Sequence, residues 1–239
     1  MKRAGALALA ALVPLLAGCE TTAEKSARLA KLATHKARAQ QGLAIARSNP
    51  RVDVRSTALL HDENGTAVVV TLRSRSPTVL LDVPIAITVR DASGSTLYTN
   101  ATPGVAHSLV TVPVLSPSRE TVWIDDQVQA AGAATVAVKV GEGMPASGQI
   151  PQLSSAGAHL FNDPANGVGA EGTLVSHASV AQQELVVYAT GTRGGKIVAA
   201  GRAVLPSVGP GASAPYRVFF VGSPQGARLE VSAPPTTFH

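Results

Sequence analysis

After Pro50 the chain is made of short runs rich in Val, Ile, Thr and Leu, separated by Gly, Pro, Ser, Asn and Asp clusters. That texture constrains the fold more than any other feature, because β-branched residues suit a pleated, half-buried surface and the clusters suit turns. The expected strands of the first half are "RVDVRSTALL", "TAVVVTLRS", "PIAITVRD", "STLYTN", "SLVTVPVL", "ETVWIDD" and "ATVAVKV". Asp62-Glu63-Asn64-Gly65 and Asp91-Ala92-Ser93-Gly94 fall between them, and each supplies a residue that tolerates positive φ. Ile85, Ile87 and Val89 alternate with Ala86, Thr88 and Arg90, so this strand should bury one face and wet the other. Regular spacing without a long helical pattern predicts a mainly β chain of antiparallel sandwiches.

The pattern occurs twice. "GEGMPASGQIP", residues 141–151, has the Gly, Pro and Ser content of a linker, and strand-like runs resume beyond it in "AHLFN", "GAEGTLVSH", "ELVVYATGT", "GKIVAAGRAVL", "APYRVFFVG" and "ARLEVSA". An offset of 102 places Thr71-Leu72-Arg73-Ser74 on Thr173-Leu174-Val175-Ser176 and Val83-Pro84-Ile85 on Leu185-Val186-Val187. We therefore expect two sandwiches in tandem, at residues 50–141 and 153–239, joined by residues 142–152. Each has a size at which a domain can fold alone.

The second half resembles the FxLYD-type domain, a small immunoglobulin-like module. The likeness is carried by Gly172-Thr173-Leu174-Val175-Ser176, with Ser176 where the pattern has Asn, by Glu184-Leu185-Val186-Val187-Tyr188-Ala189, and by Gly194-Gly195-Lys196-Ile197-Val198. The ending, Val208-Gly209-Pro210-Gly211 through Tyr216-Arg217-Val218-Phe219-Phe220, is similar too. The first half looks like a more distant relative. The resemblance implies two immunoglobulin-like sandwiches, an envelope location and a binding or scaffolding role, with no catalytic residues to carry over.

The amino end has a different organisation. Lys2 and Arg3 precede an apolar run from Ala4 to Leu16 and then the small residues Ala17 and Gly18, the three parts of an export signal at residues 1–18. The run is shorter than the roughly 20 apolar residues of a spanning helix. Leu16-Ala17-Gly18-Cys19 resembles a bacterial lipobox. That resemblance implies diacylglycerol on the Cys19 sulfur, cleavage before Cys19, and a mature protein held on the extracytoplasmic face of a bacterial membrane. The other reading is an ordinary signal peptide with a chance cysteine. Cys19 is the only cysteine in 239 residues, so its use for lipid leaves no thiol for disulfides, metal ligation or cysteine catalysis.

Residues 19–49 form the expected stalk, lipidated Cys19 followed by a basic helix. Between residues 20 and 48 it carries Lys25, Arg28, Lys31, Lys36, Arg38 and Arg47 against Glu20 and Glu24. It is free of proline and rich in helix formers, and Asn49-Pro50 ends it. Lys25, Arg28, Lys31, Lys36 and Arg38 are candidates for contact with anionic headgroups; a solvated spacer is the competing reading. The formal charge of +5 belongs to this end, because from Asn49 onward twelve Lys and Arg face thirteen Asp and Glu. A nucleic-acid-binding domain would carry its basic footprint on the fold itself, so nucleic acid is not an expected partner.

No catalytic constellation emerges. Gly211-Ala212-Ser213-Ala214-Pro215 lacks the last glycine and the strand-turn-helix setting of a nucleophile elbow, so a turn between strands is expected there. The six histidines are dispersed without metal-ligand spacing, and neither a metal nor a cofactor is expected. Asp125-Asp126 is the strongest local cluster. On a strand the two side chains face opposite ways and cannot share acid-base work; on a loop they could cap a turn or bind calcium. Trp123, the single tryptophan, is either a core anchor or, if exposed, a partner contact. The expected function is thus a lipid-anchored, non-catalytic envelope protein that binds or scaffolds a protein partner through its sandwiches. The alternative is a cell-surface hydrolase or small-ligand binder whose site is assembled from residues distant in sequence.

Overall fold

A computed structural model describes residues 42–238. The expected signal, Cys19, and Lys25, Arg28, Lys31, Lys36 and Arg38 of the stalk lie outside the described residues.

The described chain is mainly β, arranged in several antiparallel sheets. In the first half β1 (Val52–Asp62), β2 (Gly65–Ser74), β3 (Leu80–Arg90) and β4 (Thr96–Thr99) are followed by a single 3₁₀ turn, His107–Leu109. Next come β5 (Thr111–Leu115), β6 (Glu120–Val128), β7 (Thr135–Val140) and the short β8 (Met144–Pro145). The second half holds β9 (Leu153–Asp163), β10 (Gly167–Ser176), β11 (Gln182–Arg193) and β12 (Lys196–Val208). It closes with β13 (Ser213–Phe219), β14 (Val221–Gly222) and β15 (Arg228–Ser232).

The two halves repeat one plan. In the first, β1-β2-β6 form one sheet while β3 is flanked by β4 and β5 on one side and by β7 on the other. In the second, β9-β10-β13 form one sheet and β11 lies between β12 and β15. Register confirms the equivalence at the offset read from sequence. Val70 lies opposite Trp123, and Gly172, 102 residues after Val70, lies opposite Tyr216. Beyond the middle of each half the offset falls, because the first half breaks its fourth strand into β4 and β5 around a loop where the second runs β12 without interruption. The residues expected to link the halves include β8, which pairs with Leu80 and Leu81 of β3.

That break leaves the middle of β3 without a strand on the side opposite β7, and one side chain takes the strand's place. Asn100 is fully buried; its Nδ2 donates to Ile85 O at 3.0 Å and Leu109 O at 2.6 Å, and its Oδ1 accepts from Ile87 N at 2.7 Å. Three buried backbone groups that would otherwise each cost about 1–3 kcal/mol are thereby satisfied.

Side-chain alternation distributes the cores. Ile85, Ile87 and Val89 are fully buried, whereas Arg90 is exposed, as the alternation predicts. On β2, however, Ala67, Val68, Val69 and Val70 are all buried, and on β11 burial is unbroken from Leu185 to Thr190. Both strands are therefore covered on both faces. Val68 and Val70 share their face with Trp123 and Asp125, toward the β3 sheet, to which Asp125 is tied through Tyr98. On β11, Val186 and Tyr188 join the first half's core while Leu185, Val187 and Ala189 belong to the core of the second. The first core thus extends into the second half. The described residues, 42–238, belong to one compact unit.

The carboxyl end of the expected stalk helix requires correction: residues 42–49 contain no helix. Gly42 has φ +70, Leu43 N donates to Ala101 O and Asn49 N donates to Val140 O, so the body's backbone takes up groups that a helix would bond internally.

Candidate functional site

The chemistry concentrates where the halves meet. β6 presents Asp125 and Asp126 in succession, and because both lie within a strand their carboxylates point to opposite faces, as strand geometry requires. Asp125, fully buried, accepts from Tyr98 OH at 2.8 Å and from Gln127 N at 3.0 Å. Asp126 turns to the second half. Its Oδ1 accepts from Arg202 Nε at 3.1 Å and its Oδ2 from the Arg202 backbone N at 3.0 Å, while Arg202 Nη1 reaches Ser108 Oγ at 2.9 Å. The side chains of this pair are 5% and 17% exposed for Arg202 and Asp126, so it is a buried ion pair. Burial, the dominant influence, raises both carboxyl groups above their ordinary pKa against the opposing hydrogen bonds and the Arg202 charge. Tyr98 and Tyr188 are likewise driven upward, chiefly by desolvation. A second tie comes from the Asp62 hairpin: Asp62 Oδ1 accepts from Asn64 N to shape the turn, and its Oδ2 accepts from Gly222 N at 2.6 Å. Asp125 and Asp126 are therefore placed to hold layers together, and their divergence denies them a shared proton transfer or a shared cation.

Beside this interface lies a cleft of about 180 Å³, with Asp82, His107 and Thr111 on one wall and Glu184, Val186 and Thr237 on the other. Asp82 and Glu184 occupy equivalent places 102 residues apart, and both adopt left-handed backbone, φ 48 and φ 47. The kink thus belongs to the repeated plan. Gln182, fully buried, fixes Thr236 and Thr237 of the second wall: its Oε1 accepts from Thr236 N and Thr237 N, and its Nε2 donates to Thr237 O. His107 Nε2 stands 4.0 Å from Asp82 Oδ1. The volume is below the roughly 300–1,000 Å³ of ordinary small-molecule sites.

Trp123 is 0% exposed and sits in the first core. The partner-contact reading needed it on the surface and does not hold; its ring fills the space between the β1-β2-β6 and β3 sheets, at the position Tyr216 occupies in the second half. Ser213 begins β13 opposite Val175, after Gly211 at φ 63, in the strand-and-turn setting that the sequence suggested. The histidines are apart: His61 meets Thr66, His159 meets Glu171 and His177 meets Ser154. Among the described residues no group of three or more His, Cys, Asp or Glu could hold a metal ion, and no helix is long and apolar enough to cross a membrane.

Sequence reasoning missed Arg202, Ser108 and Asn100. A signal for the shared interface was present in the continuous apolar runs Ala67–Val70 and Leu185–Ala189, which a sheet wetted on one face does not need. No protein-family model matches the chain, and no curated protein is detectably similar to it in sequence.

Proposed function

We propose that the protein is a bacterial lipoprotein, anchored through Cys19 on the extracytoplasmic face of the cell membrane, whose tandem immunoglobulin-like sandwiches, the second of FxLYD type, bind or scaffold an envelope protein partner without catalysis. The observation that carries the proposal is the Leu16-Ala17-Gly18-Cys19 sequence after a charged start and an apolar run. The repeated plan of two paired sheets supports the sandwich reading. A non-catalytic role is favoured because the buried carboxylates serve the layers and the cleft between the halves is small. The alternative, a hydrolase or small-ligand binder, would have to use that cleft or the open hollow of about 450 Å³ between Ile45, Arg47, Pro84 and Glu142, where Arg47 and Glu142 are the charged side chains.

The anchor is tested by detergent-phase partitioning of the protein expressed in a bacterial host. Wild type should enter the detergent phase and carry label from supplied fatty acid, whereas Cys19→Ser, which keeps the apolar run of residues 4–16, should carry none; equal labelling of the two would refute the anchor. Crosslinking in intact envelopes followed by affinity recovery should return one reproducible protein partner, and a chain recovered alone would oppose the scaffolding role.

A further inference from the structure

The charge of the folded body is unevenly placed. Arg51, Arg55, Arg73, Arg75 and Arg119 are all exposed, and all stand where β1 begins, β2 ends and β6 begins. Arg73 lies opposite Asp53 on one neighbouring strand and Glu120 on the other. Arg75 donates to Asp53 at 2.9 Å and to Pro50 O at 2.8 Å, and its backbone N donates to Arg51 O. Arg55 stands 4.0 Å from Glu120. Five guanidinium groups thus share two carboxylates. From Asn49 onward, the rest of the body carries seven Lys and Arg against eleven Asp and Glu.

From this arrangement we infer that the arginine end of the first half docks on an anionic lipid surface. Charge complementarity supplies the attraction: guanidinium groups bind phosphate oxygens with paired N–H donors, and at physiological salt charges beyond about 8 Å are largely screened, so the acidic remainder does not cancel the patch. The acidic remainder instead disfavours other orientations. Position supplies the occupant. Residues 42–49, which follow the Cys19 segment in sequence, lie against the body at Ala101 and Val140 and lead directly into Pro50, whose carbonyl Arg75 holds beside Arg51. This inference rests on the anchor proposed above, which brings the patch to the bilayer; the patch then sets which end faces it.

The test uses the mature-length chain from residue 19 carrying Cys19→Ser, so that no lipid contributes, co-sedimented with vesicles of phosphatidylglycerol and phosphatidylcholine at about 0.15 M salt. The variant Arg51→Gln, Arg73→Gln, Arg119→Gln removes three charges and leaves the Arg75 hydrogen bonds in place. With about fivefold per basic group near the surface, affinity should fall between about tenfold and a hundredfold. A control removing three cations elsewhere, Arg90→Gln, Lys196→Gln, Arg228→Gln, should bind like the parent, with thermal melts verifying that both variants fold. Equal loss in the two variants, or no loss in the first, would overturn the inference, as would tighter binding to single-stranded nucleic acid than to the anionic vesicles. Labelling of the full chain from supplied fatty acid reads the anchor separately, so either claim can fail while the other stands.

Discussion

Asp126→Ala offers the sharpest perturbation of the interface. It strands Arg202, whose side chain is 5% exposed, with Ser108 as its remaining side-chain partner, and it also removes the acceptor of the Arg202 backbone N–H. Breaking a buried pair by removing one partner costs about 3–5 kcal/mol, and the 17% exposure of Asp126 admits some water to the orphaned guanidinium, so we expect about 3 kcal/mol. For a chain of this size that is a fall in melting temperature of roughly 6–12 °C. Replacing both members with apolar residues, Asp126→Leu with Arg202→Met, should recover much of the loss, because neither charge is then buried alone. Urea unfolding of wild type, both single variants and the double variant gives the coupling energy directly. A loss under about 1 kcal/mol in Asp126→Ala, or strictly additive singles, would refute the assignment of this pair as the lock between the halves.

Other consequences are equally specific. Asn100→Ala leaves Ile87 N, Ile85 O and Leu109 O without their side-chain partner and should cost about 3 kcal/mol in urea unfolding; an effect below about 1 kcal/mol would mean that the loop re-pairs those groups. The raised pKa of Asp125 means that the folded state holds its proton more tightly than the unfolded chain, so its contribution to stability is full below the unfolded value of 3.8 and is lost as pH rises through the folded one. The stability of Asp125→Asn relative to wild type should therefore climb with pH across the carboxylate range, and a difference that falls with pH would contradict the burial argument. At φ 47, Glu184→Gly should be neutral or stabilising by up to about 1 kcal/mol, while Glu184→Val should lose about 1–2 kcal/mol; thermal melts distinguish these from the reverse order.

Strands, hairpins and the repeat were legible because each depends on local chemistry: alternation at Ile85–Arg90, glycine and aspartate at Asp62–Gly65, and matching runs 102 residues apart. The opposed directions of Asp125 and Asp126 followed from strand geometry alone. What the sequence hid was non-local. Arg202 lies 76 residues from Asp126, and no spacing rule connects them. Asn100 only closes the expected run "STLYTN" in the sequence, and it is the gap between β4 and β5 that lets its amide complete the β3 ladder. Residues 42–49 have helix-forming composition, yet the backbone of Ala101 and Val140 competes successfully for their hydrogen bonds.

The account turns on Cys19, and mass spectrometry of the mature amino-terminal peptide tests it most directly. Our reading predicts a chain that begins at Cys19 and carries the mass of a diacylglycerol on sulfur, whereas an unmodified Cys19 or an uncleaved signal would contradict it.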